Sequence, residues 1–118
     1  MNKIAIVVLA GPEQGDGAGR IVNALMATKE FKENQDVVQL IFTGIGTKWI
    51  PVLANPEHQL HAVYNSIKDT IAGACGFCAT AYDVTAAVQS CGIPVLEEFG
   101  TNMSFLRLVN EGYTVITF

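Results

Sequence analysis

The fold is decided by one stretch, Thr70-Ile71-Ala72-Gly73-Ala74-Cys75-Gly76-Phe77-Cys78-Ala79-Thr80-Ala81-Tyr82-Asp83. Its first half is apolar and rich in small residues, which predicts a buried strand over about residues 71–77. The residues that follow predict a helix from about Cys78 to Ser90. Cys75 and Cys78 therefore stand at a strand-to-helix junction with C-x-x-C spacing, and they are the strongest chemical signal in the chain.

Upstream of this stretch, two apolar and β-branched runs, at 4–9 and 37–42, predict strands that are buried on both faces. A glycine-rich loop, Gly11 to Gly17, separates the first strand from a predicted helix that ends near Asn34, with Asp16 as its N-cap. The core-facing stripe of this helix is predicted to be Ile21, Val22, Leu25 and Met26.

The remaining predicted elements are helices at 47–53, 55–68 and 104–110 and strands at 93–96 and 113–118. The fourth strand belongs at a sheet edge because Pro94 has no N–H to donate to a neighbour. Strands and helices alternate along the chain, and this order favours a parallel sheet with helices on both faces. The prediction is a single α/β domain over residues 1–118, with a mostly parallel five-stranded sheet.

Composition narrows the classes of function. The chain has 118 residues, of which 50% are hydrophobic and only 15% charged. So few charges on a small domain indicate that part of its surface is covered by another subunit, so we expect a homo-oligomer. The net charge is −4 and the seven Lys and Arg residues are scattered singly, which argues against a nucleic-acid partner.

The location of the protein is predicted from its first residues and its cysteines. The apolar run Ile4 to Ala10 is too short to span a bilayer and lacks the features of a signal peptide. The three cysteines are an odd number, which favours reduced thiols over a disulfide framework. We therefore expect a cytoplasmic protein without a membrane partner.

The first loop does not match a nucleotide-binding motif. No Lys-Ser or Lys-Thr pair closes it as a phosphate-binding loop requires, and the G-x-G-x-x-G spacing fails. The free backbone N–H groups at the start of the helix could bind a small anion, at a site formed by Gly15, Gly17 and Arg20. The simpler interpretation is that this loop is a plain turn. His58 and His61 are interpreted as solvated side chains, because no further ligands complete a metal set with them.

The carboxyl ends of parallel strands share one edge of a sheet, where ligands and catalytic groups collect. Cys78 is predicted at the N-cap or in the first turn of its helix, where a thiolate is favoured, whereas Cys75 closes the strand and should be less exposed. The competing interpretation is that both are merely structural. Cys91 falls at the far end of the same predicted helix, roughly 20 Å away, and is not expected to pair with them.

Four segments, in this order and spacing, carry a resemblance to a known family: Gly11-Pro12-Glu13, Leu40 to Gly46, Ala74 to Ala81, and Leu108 to Tyr113. Over nearly its whole length the chain resembles the DsrE/DsrF-like family of small sulfur-relay proteins. The resemblance implies a three-layer α/β/α fold, trimers or hexamers, and no bound cofactor. In relay members a cysteine at this junction carries sulfur as a persulfide, a position that falls here on Cys75 or Cys78.

Three functions are consistent with these observations. The first is sulfur transfer through Cys75 and Cys78, with sulfur donor and acceptor proteins as partners and a sulfurtransferase activity. The second is a dithiol oxidoreductase, and the third is a non-enzymatic small-anion-binding module. If the two thiols face each other, Cys75 could attack a Cys78 persulfide, releasing sulfide and leaving a disulfide. The predicted position of Cys78 at the start of a helix favours it as the reactive thiol, whereas the family resemblance is consistent with either Cys75 or Cys78.

Overall fold

A computed structural model describes all residues from 1 to 118. Its centre is a five-stranded sheet in which every neighbouring pair is parallel, in the order β4-β3-β2-β1-β5. The strands are β1 Lys3–Val8, β2 Val37–Phe42, β3 Ile71–Cys75, β4 Val95–Leu96 and β5 Thr114–Thr117. The predicted α/β fold is confirmed, and β4 lies at a sheet edge as Pro94 indicates.

Six α-helices connect and cover these strands. They are α1 Gly17–Glu33, α2 Trp49–Ala54, α3 His61–Ile67, α4 Gly76–Ala81, α5 Thr85–Ser90 and α6 Phe105–Asn110. Two 3₁₀ turns, Gly44–Lys48 and Lys68–Thr70, precede α2 and β3. None of the helices combines the length and the apolar character that a membrane span requires.

One face of the sheet carries the main hydrophobic core. Alternate residues of β1, Ile4, Ile6 and Val8, point into it because successive strand side chains face opposite sides. Buried side chains from four helices, α1, α2, α3 and α5, pack against these residues. Most of the apolar burial that stabilises the domain therefore lies on this face.

The opposite face carries a much smaller cluster of six buried residues: Ala5, Val7, Ile41, Cys75, Met103 and Leu108. Among the helices, only α6 supplies a fully buried side chain here, Leu108. The architecture is therefore three-layered, with one thick and one thin helical layer. Cys75 lies under the thin layer.

The junction after β3 differs from its sequence-based prediction. β3 ends at Cys75 and the next helix already begins at Gly76. The single helix predicted over residues 78–90 is two helices, because Asp83 adopts a left-handed conformation with φ 55° that ends α4. Cys91 therefore does not lie on the helix that carries Cys78.

The helix predicted from Asn55 is also shorter than expected. The Asn55 side chain accepts a hydrogen bond from the Glu57 N–H at 2.9 Å, which forms a local turn instead of a helix cap. Residues 55–60 remain in turns, and α3 begins only at His61.

The core-facing stripe of α1 is rotated from the predicted one. Ile21 and Leu25 are buried as expected, but Val22 and Met26 are exposed. The buried face instead includes two residues of lower hydropathy, Ala24 and Thr28, and the Thr28 hydroxyl donates to the Ala24 carbonyl at 2.7 Å. Asp16 occupies the N-cap position, but its side chain makes no cap hydrogen bond. Asn34 is the C-cap, as predicted.

Candidate functional site

The loops that follow β1, β2 and β3 meet at one edge of the sheet. The Trp49 Nε1–H donates to the Ala10 carbonyl at 3.0 Å, which ties the first loop to the second. The Thr43 hydroxyl lies 3.5 Å from Cys78 Sγ, which ties the second loop to the cysteine junction. These contacts join the three loops at the edge of the sheet where a parallel topology places ligand-binding and catalytic groups.

Cys75 is the buried thiol of the pair. It occupies the residue before α4, and its side chain is 1% exposed. Cys75 Sγ accepts a hydrogen bond from the Met103 N–H at 3.4 Å, and the neutral thiol donates to Asn102 Oδ1 at 3.8 Å. The sulfur is therefore held by polar contacts within an otherwise apolar cluster.

A tight hairpin brings Asn102 and Met103 over Cys75. The Glu98 N–H donates to the Asn102 carbonyl at 2.8 Å, and Phe99 pairs antiparallel with Asn102 around Gly100, whose φ is 58°. Asn102 and Met103 are not predicted from the sequence as part of the site. The signal in the sequence was Gly100, a residue that favours such turns, in a segment between two predicted elements.

The hairpin is fixed at both of its ends. The Phe77 N–H donates to the Thr101 carbonyl at 2.7 Å, which holds the turn against α4. At the other end, Glu98 accepts from the Ser104 N–H at 3.0 Å and forms an ion pair with Arg107 of α6. The donor that contacts the Cys75 sulfur is therefore positioned by both neighbouring helices.

The environment of Cys75 favours its thiolate. Burial opposes ionisation and by itself would raise the pKa of the Cys75 thiol. Hydrogen bonds outweigh burial and lower this pKa; they come from the Met103 N–H, the N–H and thiol of Cys78, and the Thr43 hydroxyl. The ionised Cys75 thiol therefore stabilises the folded protein at pH values above the pKa of a thiol in the unfolded chain. This contribution to the free energy of unfolding is lost as the pH falls through the lower pKa that Cys75 has in the folded protein.

Replacing Thr43 by valine should raise the pKa of the Cys75 thiol, because it removes one of the groups that stabilise the thiolate. Titration of the ultraviolet thiolate absorbance, with the Cys75→Ser protein as the blank, measures the shift. Thr47→Val is the matched control, since the buried Thr47 hydroxyl donates to the Gly44 carbonyl instead. A Thr43→Val titration that coincides with wild type would show that this hydroxyl does not act on Cys75.

Cys78 is the more accessible thiol. It lies in α4, is half-buried, and packs at the border of the thin-layer cluster beside Phe77, which is exposed. Its sulfur contacts Thr43 on one side and contributes to the hydrogen bonding of Cys75 on the other. Cys91 packs against the main core on the opposite face of the sheet. The structure thus brings Cys75 and Cys78 together and leaves Cys91 out.

The three residues of the predicted anion site lie in different environments. Gly15 is exposed, whereas Gly17 is buried close to the Gly11 carbonyl. The Arg20 guanidinium donates to the Asp16 carboxylate at 2.6 Å, and this hydrogen bond lowers the pKa of Asp16. An open depression of about 250 Å³ beside Phe118 is lined by both Asp16 and Arg20, so the charge of Arg20 is already matched there.

The two histidines make local contacts with the backbone. His58 Nδ1 accepts from the Leu60 N–H at 3.1 Å, and His61 Nδ1 lies 2.9 Å from the Leu53 carbonyl. They do not share a helix face, since α3 begins only at His61. No group of three or more His, Cys, Asp or Glu side chains is arranged to hold a metal ion.

Comparisons with known proteins establish the fold alone. No protein-family model matches this sequence, and no curated protein matches it significantly. Two solved structures are similar. One is the conserved protein of unknown function BT1422 from Bacteroides thetaiotaomicron, with a TM-score of 0.64 over 97% of this chain and 94% of that one, at 14% identity. The other is the YchN protein of E. coli, with a TM-score of 0.59 over 100% of both chains, also at 14% identity.

Proposed function

We propose that this protein is a cytoplasmic sulfur-transfer protein of the DsrE/DsrF-like type, which accepts sulfur as a persulfide on Cys78. The observation that carries the proposal is a pair of free thiols at the carboxyl end of β3, one half-exposed and one buried. The half-exposed thiol can meet a donor, and the buried one is held in an environment that favours its thiolate. The sequence resemblance supplies the class of chemistry.

The transfer step requires no cofactor. The Cys78 thiolate attacks the terminal sulfur of a donor persulfide, R–S–SH, and a new S–S bond forms on Cys78. The S–S bond of the donor breaks, and the donor leaves as a thiolate that takes up the proton lost by Cys78. An acceptor thiolate later attacks the terminal sulfur of Cys78 in the same way, which regenerates the free thiol.

A homo-oligomer is part of the same proposal, with a trimer or hexamer as the resemblance implies. The outer side of the thin layer exposes large apolar side chains: Phe99, Phe105, Leu106 and Val109. Leu106 is 69% and Val109 62% exposed in the single chain. Apolar side chains clustered in this way on a small domain are typical of a surface that a second copy covers.

Incubating the reduced protein with glutathione persulfide, without added reductant, tests whether Cys78 accepts sulfur. We expect Cys78→Ser to lose reaction with the donor at the cysteine junction, because Cys75 is too buried to meet it; the half-buried Cys91 is accounted for by its own variant. Intact-protein mass spectrometry after alkylation of free thiols detects either an added sulfur atom or a new disulfide. Cys91→Ser is the matched control and should react as wild type does.

Two outcomes of this experiment would contradict sulfur transfer through Cys78. Wild-type protein that stays unmodified would exclude it. Uptake by Cys78→Ser equal to that of wild type would move the acceptor away from Cys78.

A dithiol oxidoreductase is the second candidate, favoured by the closeness of the two thiols around Thr43. It requires that Cys75 and Cys78 form a disulfide under mild oxidation and that a dithiol reverses it. A protein that cycles in this way but never reacts with glutathione persulfide would be an oxidoreductase and not a sulfur carrier.

A further inference from the structure

We infer that Cys75 is a resolving thiol, which attacks a persulfide on Cys78 and releases its sulfur as free sulfide. This inference rests on the proposed function, since it concerns the fate of the sulfur that Cys78 accepts. When no acceptor thiol takes the sulfur first, the protein acts as a reductive consumer of small persulfides, with a dithiol as its second substrate. Three features of the site support it: the burial of Cys75, its hydrogen bonds, and the position of its sulfur beside Cys78.

Burial divides the roles of the two thiols. Cys75 is 1% exposed, under Met103 and the hairpin, so a donor molecule in solution cannot reach its sulfur. Cys78 is half-buried and opens toward solvent. A thiol that only an internal partner can reach can attack a persulfide formed on that partner, but it cannot itself accept sulfur from a donor in solution. Sulfur therefore enters at Cys78 and meets Cys75 afterwards.

Hydrogen bonding prepares Cys75 as a nucleophile despite its burial. The Met103 N–H donates to its sulfur at 3.4 Å, and this donor belongs to the backbone of a hairpin held by two helices. The thiolate is the attacking form of a cysteine, so a fixed backbone donor increases the reactive fraction at neutral pH. A buried structural cysteine has no need of such a donor, because its neutral thiol is stable in an apolar cluster.

The position of Cys78 allows the attack. The two cysteines are three residues apart across the start of α4, and Cys78 packs against the cluster that contains Cys75. Residues at this spacing around a helix start can form a disulfide, as in other C-x-x-C motifs. The Thr43 hydroxyl, 3.5 Å from Cys78 Sγ, is placed to donate a hydrogen bond to the sulfur that leaves as HS⁻.

The step balances without an external oxidant. The Cys75 thiolate attacks the inner sulfur of Cys78–S–SH, so the Cys75–Cys78 bond forms while the bond to the terminal sulfur breaks. That sulfur leaves as HS⁻ with the electron pair of the broken bond. The terminal sulfur is reduced, and the two cysteine thiols are oxidised to a disulfide. A small dithiol then reduces the disulfide by thiol exchange and returns both thiols to the protein.

Sulfide release tests the inference with the same probe, glutathione persulfide, in a single turnover without reductant. Wild-type protein should release one sulfide per chain and end as the Cys75–Cys78 disulfide. Cys75→Ser should keep the added sulfur on Cys78 and lose the release of sulfide. Sulfide is measured by bimane derivatisation and the protein state by mass spectrometry, with protein-free donor as the background. Cys91→Ser should behave as wild type.

The outcomes separate the inference from the proposed function. A Cys75→Ser protein that carries a stable persulfide and releases no sulfide supports both. Wild-type protein that also carries a stable persulfide, with no disulfide, overturns the resolving role and leaves sulfur transfer standing. Protein that gains neither sulfur nor a disulfide overturns both. As a second readout, the rate of sulfide release should fall with decreasing pH as the Cys75 thiolate is protonated.

Discussion

Trp49→Ala should lower the free energy of unfolding by about 3–5 kcal/mol, one of the two largest effects expected from a single substitution in this chain. The Trp49 side chain is 4% exposed and belongs to the main core, so its removal leaves a large cavity. It also removes the indole donor of the Ala10 carbonyl, which joins the first two loops of the site. Chemical denaturation followed by circular dichroism measures the change.

Two further variants separate the contributions of Trp49. Trp49→Phe keeps most of the apolar contact but leaves the Ala10 carbonyl without its partner, so we expect a loss of about 1–3 kcal/mol. Phe99→Ala is the matched control at an aromatic residue that is 76% exposed in the single chain. At a protein concentration low enough to exclude self-association, it should change stability by less than about 0.5 kcal/mol. Equal losses for Trp49→Ala and Phe99→Ala would mean that Trp49 does not anchor the core.

The order of elements is predictable from the sequence because each strand has a strong local signature. β2 is found at its predicted bounds, since Val37–Phe42 is apolar and flanked by polar residues and glycines. Gly92 and Gly112 adopt positive φ, at 76° and 87°, where the sequence predicts helix ends. These boundaries depend on residue type alone, so they can be predicted without knowledge of the packing.

Other boundaries depend on tertiary contacts and escape prediction. The break between α4 and α5 is marked only by Asp83, which adopts the left-handed conformation more readily than most residues but is a weaker signal than glycine. The burial of Ala24 and Thr28 in place of Val22 and Met26 follows from how α1 lies on the sheet. A buried stripe rotated slightly around the helix has the same periodicity, so hydropathy favours the more apolar Val22 and Met26 over the residues that are actually buried.

The candidate site was predictable in its thiols but not in their surroundings. The C-x-x-C motif identifies Cys75 and Cys78, and the strand end explains why Cys75 is the less exposed of the two. The hydrogen bond from Met103 connects residues 28 positions apart in sequence. Gly100 marks the turn of the hairpin in the sequence, but the contact with Cys75 arises only when the hairpin folds back over β3.

Leu108→Ala should also destabilise the protein strongly, by about 2–5 kcal/mol, and its effect should be concentrated on the thin layer. Leu108 is fully buried and is the residue through which α6 enters the cluster around Cys75. Leu106→Ala on the same helix is the matched control, because that side chain is 69% exposed. Denaturation at low protein concentration keeps any self-association from adding to the measured stability.

Loss of Leu108 should also expose Cys75 before the rest of the protein unfolds. With so little apolar contact, α6 and the hairpin are expected to open as a local unit, at a lower free energy than the thick layer requires. Alkylation of Cys75 under native conditions, followed by mass spectrometry, should therefore rise more in Leu108→Ala than in Trp49→Ala at matched stability. Equal alkylation in the two variants would show that Cys75 becomes accessible only by global unfolding. Preferential alkylation in Leu108→Ala would instead identify opening of α6 as the motion that uncovers Cys75.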